Sequence, residues 1–133
     1  MKKHGILNSD ISRVLSYMGH TDCICVGDCG LPVPDETERI DLAVRFGLPA
    51  FMDVLREMCE DMCIEKIVLA EEIREKNAGM LEEIMEYFEG RSLEIVFVPH
   101  AELKRMTKTC KAVIRTGETT PYANIILQSG CIF

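Results

Sequence analysis

Short apolar runs alternating with helix-length amphipathic segments constrain this chain more than any other feature. Asp22 to Gly27 reads as a buried strand, and Ile64 to Ala70 as another, with Ile67, Val68 and Leu69 at its centre. Leu93 to Val98, Lys111 to Arg115 and Asn124 to Gln128 have the same character. Arg39 to Val44 alternates polar with apolar residues and suits a further strand. Between these lie helix signals. Asn8-Ser9-Asp10 offers caps before Ile11, Val14, Leu15 and Met18, and Gly19 closes that helix. Pro49 opens a helix through about Met62, Asn77 or a neighbour caps one to about Phe88, and Pro99 starts a short one through about Met106. Leu31 to Glu38, with two prolines, must be a loop. Strands and helices alternating at this spacing predict βαβ crossovers. The expected fold is therefore α/β: a single three-layer α/β/α domain over residues 1–133 with a mostly parallel sheet.

At 133 residues the chain can bury a real core, and 47% hydrophobic with 28% charged residues is ordinary globular composition. No apolar run approaches the roughly 20 residues that span a bilayer. The start, Met1-Lys2-Lys3-His4-Gly5, is followed by no apolar signal region, so a cytoplasmic protein without a membrane partner is expected. Net charge is −7, and the segment Glu57 to Glu89 alone carries −8. Acidic helical faces repel phosphate backbones, which argues against a nucleic-acid partner. Seven cysteines include no Cys-x-x-Cys. A zinc site from His20, Cys23, Cys25 and Cys29 matches no standard spacing, so the cysteines are expected to be reduced core residues and no metal is expected.

Two polar clusters interrupt apolar runs. One is Gly19-His20-Thr21-Asp22 with Gly27-Asp28-Cys29-Gly30, and the other is Arg115 to Asn124, ending Pro121-Tyr122-Ala123-Asn124. An imidazole, a carboxylate, a phenol and a carboxamide beside strands suit a hydroxyl-rich small molecule. In open α/β sheets, ligands bind beyond the C-terminal ends of strands. Asp28 follows one such strand and His100 another, so both are expected at one sheet edge. Each residue also has a plainer reading. His20 follows a helix end, where a cation meets the dipole favourably. Asp28 can be a turn-former, His100 an ordinary first-turn residue, Tyr122 a strand-edge aromatic and Asn124 a strand-start residue.

At these residues the chain resembles the D-ribose pyranase / L-fucose mutarotase family, on its ribose branch. The shared text includes His4-Gly5-Ile6-Leu7-Asn8, Gly19-His20-Thr21-Asp22, Asp28 through Pro34, Arg39-Ile40-Asp41-Leu42-Ala43, Ala70-Glu71-Glu72-Ile73, Val113 through Glu118, and Pro121 through Leu127. The matches are ordered and span essentially the whole chain. The resemblance implies cofactor-free exchange of D-ribose between pyranose and furanose rings. It also implies His20 as proton donor, Asp28, His100, Tyr122, Ala123 and Asn124 as sugar-binding positions, and a cytoplasmic homo-oligomer, typically a decamer, with sites completed at subunit contacts. Cys29 stands where Ala is more usual, a small-for-small change.

The chemistry suits these residue types. A cyclic hemiacetal opens when its anomeric hydroxyl loses a proton and its ring oxygen gains one. No metal, nicotinamide or covalent nucleophile is needed, and the chain has neither a phosphate loop nor Gly-x-Gly-x-x-Gly. A histidine side chain, with an ordinary pKa of about 6.5, gives and takes protons near neutrality. One rival is L-fucose mutarotation, whose branch tends to carry His two residues after the strand-end Asp, where this chain has Gly30. Another is a non-catalytic sugar-binding subunit, which would not need His20. The apolar Cys131-Ile132-Phe133 at the chain's end suggests burial, either within the subunit or against another copy.

Overall fold

The computed structural model describes residues 1–133. Five α-helices and six strands run in chain order as α1 Ser9–Tyr17, β1 Cys23–Gly27, β2 Glu38–Asp41, α2 Phe51–Asp61, β3 Ile64–Ala70, α3 Ile73–Lys76, α4 Ala78–Phe88, β4 Glu94–Val98, α5 His100–Met106, β5 Ala112–Arg115 and β6 Ile125–Ser129. The strands form one sheet in the order β2-β5-β1-β6-β3-β4. β2 with β5, β5 with β1, and β3 with β4 pair in parallel. β6 lies between β1 and β3 and runs antiparallel to both. The expected three-layer, mostly parallel architecture is present, with this one reversed strand at its centre.

Alternation along each strand divides the core in two. Ile24, Val26, Ile67, Leu69, Ile114, Ile125 and Leu127 face the larger cluster, where α1, α2 and α4 bring Ile11, Val14, Phe51, Leu55, Met58, Ile84 and Phe88. Cys25, Val68, Val113 and Ile126 point the other way, onto Leu103 of α5 and Leu31. Phe51, Leu55 and Met58 are fully buried, and each such side chain stabilises the fold by about 1.5–3 kcal/mol. No helix is long and apolar enough to cross a membrane.

Local chemistry explains most boundaries and corrects some. The Asn8 carboxamide accepts from the backbone N–H groups of Asp10 and Ile11, both at 3.0 Å, and so starts α1. The strand expected to run to Val44 stops at Asp41, because the Asp41 carboxylate takes the Ala43 N–H at 3.0 Å and turns the chain. The helix expected to reach Met62 ends at Asp61, and Met62 is extended. Cys63, beyond the helix end, is exposed rather than a core residue, whereas Cys59 is buried. Asn77 precedes α4 but does not cap it with its side chain. Its amide donates instead to Thr120 Oγ1 at 2.9 Å and to the Pro121 carbonyl at 2.8 Å, tying the loop before β6 to the start of α4.

Two glycines show how tightly different regions are packed. A Cβ at Gly117 would lie 2.4 Å from the Leu48 carbonyl oxygen and 2.6 Å from that of Arg45, both backbone atoms that cannot swing away. A Cβ at Gly79, in the first turn of α4, would meet nothing within 4 Å. Gly117→Ala should therefore lower stability by about 3 kcal/mol, through overpacking. Gly79→Ala should raise it by up to about 1 kcal/mol, through helix propensity. Urea unfolding followed by circular dichroism checks both signs, and equal midpoints for the two variants would contradict this packing.

Candidate functional site

The reversed strand decides what meets at each edge of the sheet. β1, β3 and β4 end at the same edge where β6 begins, so residues after Gly27, Ala70 and Val98 lie beside those before Ile125. Asp28, Glu72, His100, Tyr122 and Asn124 come together there. The Asp28 N–H donates to Asn124 Oδ1 at 3.0 Å, and the Asn124 amide donates back to Asp28 Oδ2 at 3.0 Å. Asp28 Oδ1 also accepts the Gly30 N–H at 2.8 Å. This approach needs the glycine at 27, whose Cβ would stand 2.9 Å from Asn124 Oδ1 and 2.6 Å from Leu31 Cδ2. Asn124 is buried, so its amide is held without freedom to turn. The result is a carboxylate and a carboxamide fixed in place before any ligand arrives.

His100 and Tyr122 form the adjoining wall, their rings edge to face with centroids 5.0 Å apart. The Glu72 carboxylate accepts the His100 N–H with both oxygens, at 2.9 and 3.1 Å, and fixes the start of α5. Burial, and then the nearby Lys104, push the His100 ring below its ordinary pKa, which favours its neutral form. Its Nδ1 is enclosed without a hydrogen-bond partner, an unusual state for a buried polar atom. Ala123 joins the group only through its backbone, because its methyl is packed into the larger core cluster.

The supporting loop is braced by members of the Arg115 to Asn124 cluster to which the sequence assigned no individual role. Arg115 donates to the Cys29 carbonyl at 3.0 Å and pairs with Asp41 at 2.8 Å. Thr116 Oγ1 donates to the Gly27 carbonyl at 2.8 Å. The Glu118 carboxylate accepts from the N–H groups of Thr119 and Thr120 at 3.0 Å and from Phe51 at 3.4 Å. Burial opposes its ionisation, but these bonds outweigh it and hold the carboxyl below its usual range. A cavity of about 260 Å³ opens on the Cys29 side, lined by Val44, Arg45, Phe46, Arg115 and Gly117 among others. Asp28, His100, Tyr122 and Asn124 line none of the chain's cavities.

His20 is not with them. It precedes β1 and so lies at the opposite edge, separated by a five-residue strand of about 16 Å. There its half-exposed ring places Nε2 2.9 Å from Glu65 Oε2, and Gln128 donates to Glu65 Oε1 at 2.7 Å. The Gln128 bond, and then the His20 bond, hold the Glu65 carboxyl below its usual range. The thiols considered as metal ligands are likewise spread along β1. Cys25 is fully buried, where burial pushes its thiol well above the ordinary range, and no group of three or more His, Cys, Asp or Glu side chains could hold a metal ion.

Backbone strain marks both clusters. Only two non-glycine residues have positive φ: Thr21, at 69°, directly after His20, and Tyr122, at 59°. Such positions cost about 1–3 kcal/mol and persist only where the surroundings over-determine them. Thr21 is held by its N–H on the Ser129 carbonyl at 2.9 Å, and by the flanking Gly19 N–H to Asp22 Oδ2 bond at 2.9 Å. Tyr122 is held by the Asn124 N–H on its carbonyl at 2.8 Å and by its packing against His100.

Known proteins are similar to this chain over all or nearly all of its length. A protein called D-ribose pyranase from Bacillus cytotoxicus is 54% identical over 133 residues, covering all of both chains. The structure of Bacillus subtilis RbsD complexed with D-ribose superposes with a TM-score of 0.96 at 49% identity, again over all of both chains. The fucose mutarotase of Streptococcus pneumoniae, solved in complex with L-fucose, shares the fold at 23% identity, with a TM-score of 0.76 over 96% of this chain and 95% of that one. The model of the RbsD / FucU transport protein family matches residues 1–132, and the chain belongs to that family.

Proposed function

We propose that this protein is a cofactor-free D-ribose pyranase, which interconverts the pyranose and furanose forms of the sugar by acid/base ring opening and reclosure. The observation that carries this reading is the reciprocal Asp28–Asn124 pair flanked by His100 and Tyr122, a fixed set of donors and acceptors at the edge where such sheets bind ligands. Relatives at about 54% identity that bear this name, and the ribose held by the similar structure, point to the same sugar.

In this reading Asp28, His100, Asn124, the Tyr122 phenol and the Ala123 backbone hold the sugar hydroxyls, and His20 transfers the proton. The cradle lines no cavity of its own subunit and His20 stands at the far edge of the same subunit, so the site is completed between copies: the cradle of one subunit receives His20 of another. The exposed Ile132 and Phe133 support an assembly, since neither is buried within its own subunit. The working form is a cytoplasmic homo-oligomer, with a homodecamer as the size the family resemblance implies.

Magnetisation-transfer NMR between pyranose and furanose signals of D-ribose should show faster exchange with the protein, including after dialysis against a chelator. Unchanged exchange with folded protein would overturn the enzyme reading, and acceleration confined to L-fucose would move the chain to the mutarotase branch. His20→Ala should slow exchange by about 10²–10⁴ with little change in ribose affinity, whereas Asp28→Ala or Asn124→Ala should weaken binding by about 1–3 kcal/mol, as titration calorimetry would read. Removing Cys131 to Phe133 should reduce both assembly and activity. Light scattering beside the activity assay decides this last point, because a fully active monomer at micromolar concentration would rule out a shared site.

A further inference from the structure

Three independent features aim one carboxylate at His20. The pairing of β3 with β6 slips between Ile64 and Lys66: Ile64 faces Ser129 and Lys66 faces Gln128, so Glu65 is the extra residue of a β-bulge. Bulges re-aim the side chain they carry. The Gln128 amide then takes Glu65 Oε1 at 2.7 Å, leaving Oε2 to meet His20 Nε2 at 2.9 Å. Gly130 gives the room, since a Cβ there would stand 3.0 Å from the Glu65 Cβ and 3.4 Å from Oε2. The other cation at hand, Lys66, is engaged by Glu94 at 3.5 Å.

We infer that Glu65, braced by Gln128, is a positioning residue that fixes the ring and tautomer of His20 for proton transfer. This rests on the reading of His20 as the proton-transferring group. With Nε2–H donating to the carboxylate, Nδ1 is the nitrogen left to exchange a proton with the sugar. In the imidazolium form, Nδ1–H passes its proton to the ring oxygen as the bond from that oxygen to the anomeric carbon breaks and its electron pair stays on oxygen. The anomeric hydroxyl gives its proton to water, and the carbonyl forms. On reclosure a different hydroxyl attacks the carbonyl carbon and gives its proton to Nδ1, while the carbonyl oxygen takes back a proton from water and becomes the new anomeric hydroxyl. Throughout, the Nε2 proton stays on the histidine, and Glu65 keeps the ring from rotating between the two roles.

The test is kinetic and spectroscopic on the full chain. Glu65→Gln should lower kcat for ribose exchange by about 10- to 100-fold, the scale of a misoriented catalytic group, with KM within about twofold of wild type because Glu65 touches no sugar in this reading. The Nε2–H proton of His20, shifted downfield by its carboxylate partner in the wild type, should move upfield in the variant. Glu65→Gln combined with His20→Ala should be no slower than His20→Ala alone, because the two act as one unit. Gln128→Leu, which leaves Glu65 in place but unbraced, should show a smaller loss in the same direction. Wild-type kcat in both Glu65→Gln and Gln128→Leu, or additive losses in the double variant, would overturn the inference. Wild-type activity in His20→Ala would instead overturn the proton-transfer reading beneath it.

Discussion

The pairing of β6 between β1 and β3, antiparallel to both, is the constraint on which the rest depends. In a sheet of parallel strands, one edge collects every C-terminal end and the other every N-terminal end. A single reversed strand in the middle breaks that rule at both edges. Its start carries Tyr122 to Asn124 to the ends of β1, β3 and β4, and its finish carries Gln128 to the beginnings of β1 and β3. Ile125, Ile126 and Leu127 are fully or almost fully buried, so a one-residue slip would turn an apolar row into the wrong cluster and separate Asn124 from Asp28 at the same time. Core packing and site geometry are therefore enforced by the same register.

The two edges differ in how they are held. Asp28 and Asn124 satisfy one another, and the surrounding loop is fixed by Arg115, Thr116 and Glu118. At the other edge His20 and Glu65 are partly exposed, and a bulge and a strained threonine set their positions. Even when charged, an exposed pair of this kind contributes little to stability. Its geometry thus does little to support the fold, in keeping with the orienting role inferred for Glu65.

Element order was legible in the sequence because apolar runs and caps are local signals. Asn8 before α1 and Pro99 before α5 each mark an end that backbone chemistry enforces. The placement of Asp28 and His100 at one edge followed from the parallel-sheet rule alone. Strand order and the reversal of β6 were not legible, since both depend on long-range pairing that no local pattern encodes. Glu65 was hidden for the same reason: within Ile64-Glu65-Lys66 it reads as a solvated charge, and only the slipped register beside Gln128 turns it toward His20. Asn77 resembled a helix cap, and the distant Thr120 and Pro121 redirected its amide. The four-residue α3 is too short to leave a periodic trace.

In the proposed reading, a subunit that carries a proton donor at one edge and a cradle at the other has a polarity, like a link with a hook and an eye. When donors and cradles meet between copies, a closed arrangement matches every hook to an eye. An open row leaves one of each unused at its ends. Closure is then worth most to small assemblies, where the ends are the largest share of the whole. In that reading, dilution that opens an assembly removes working sites.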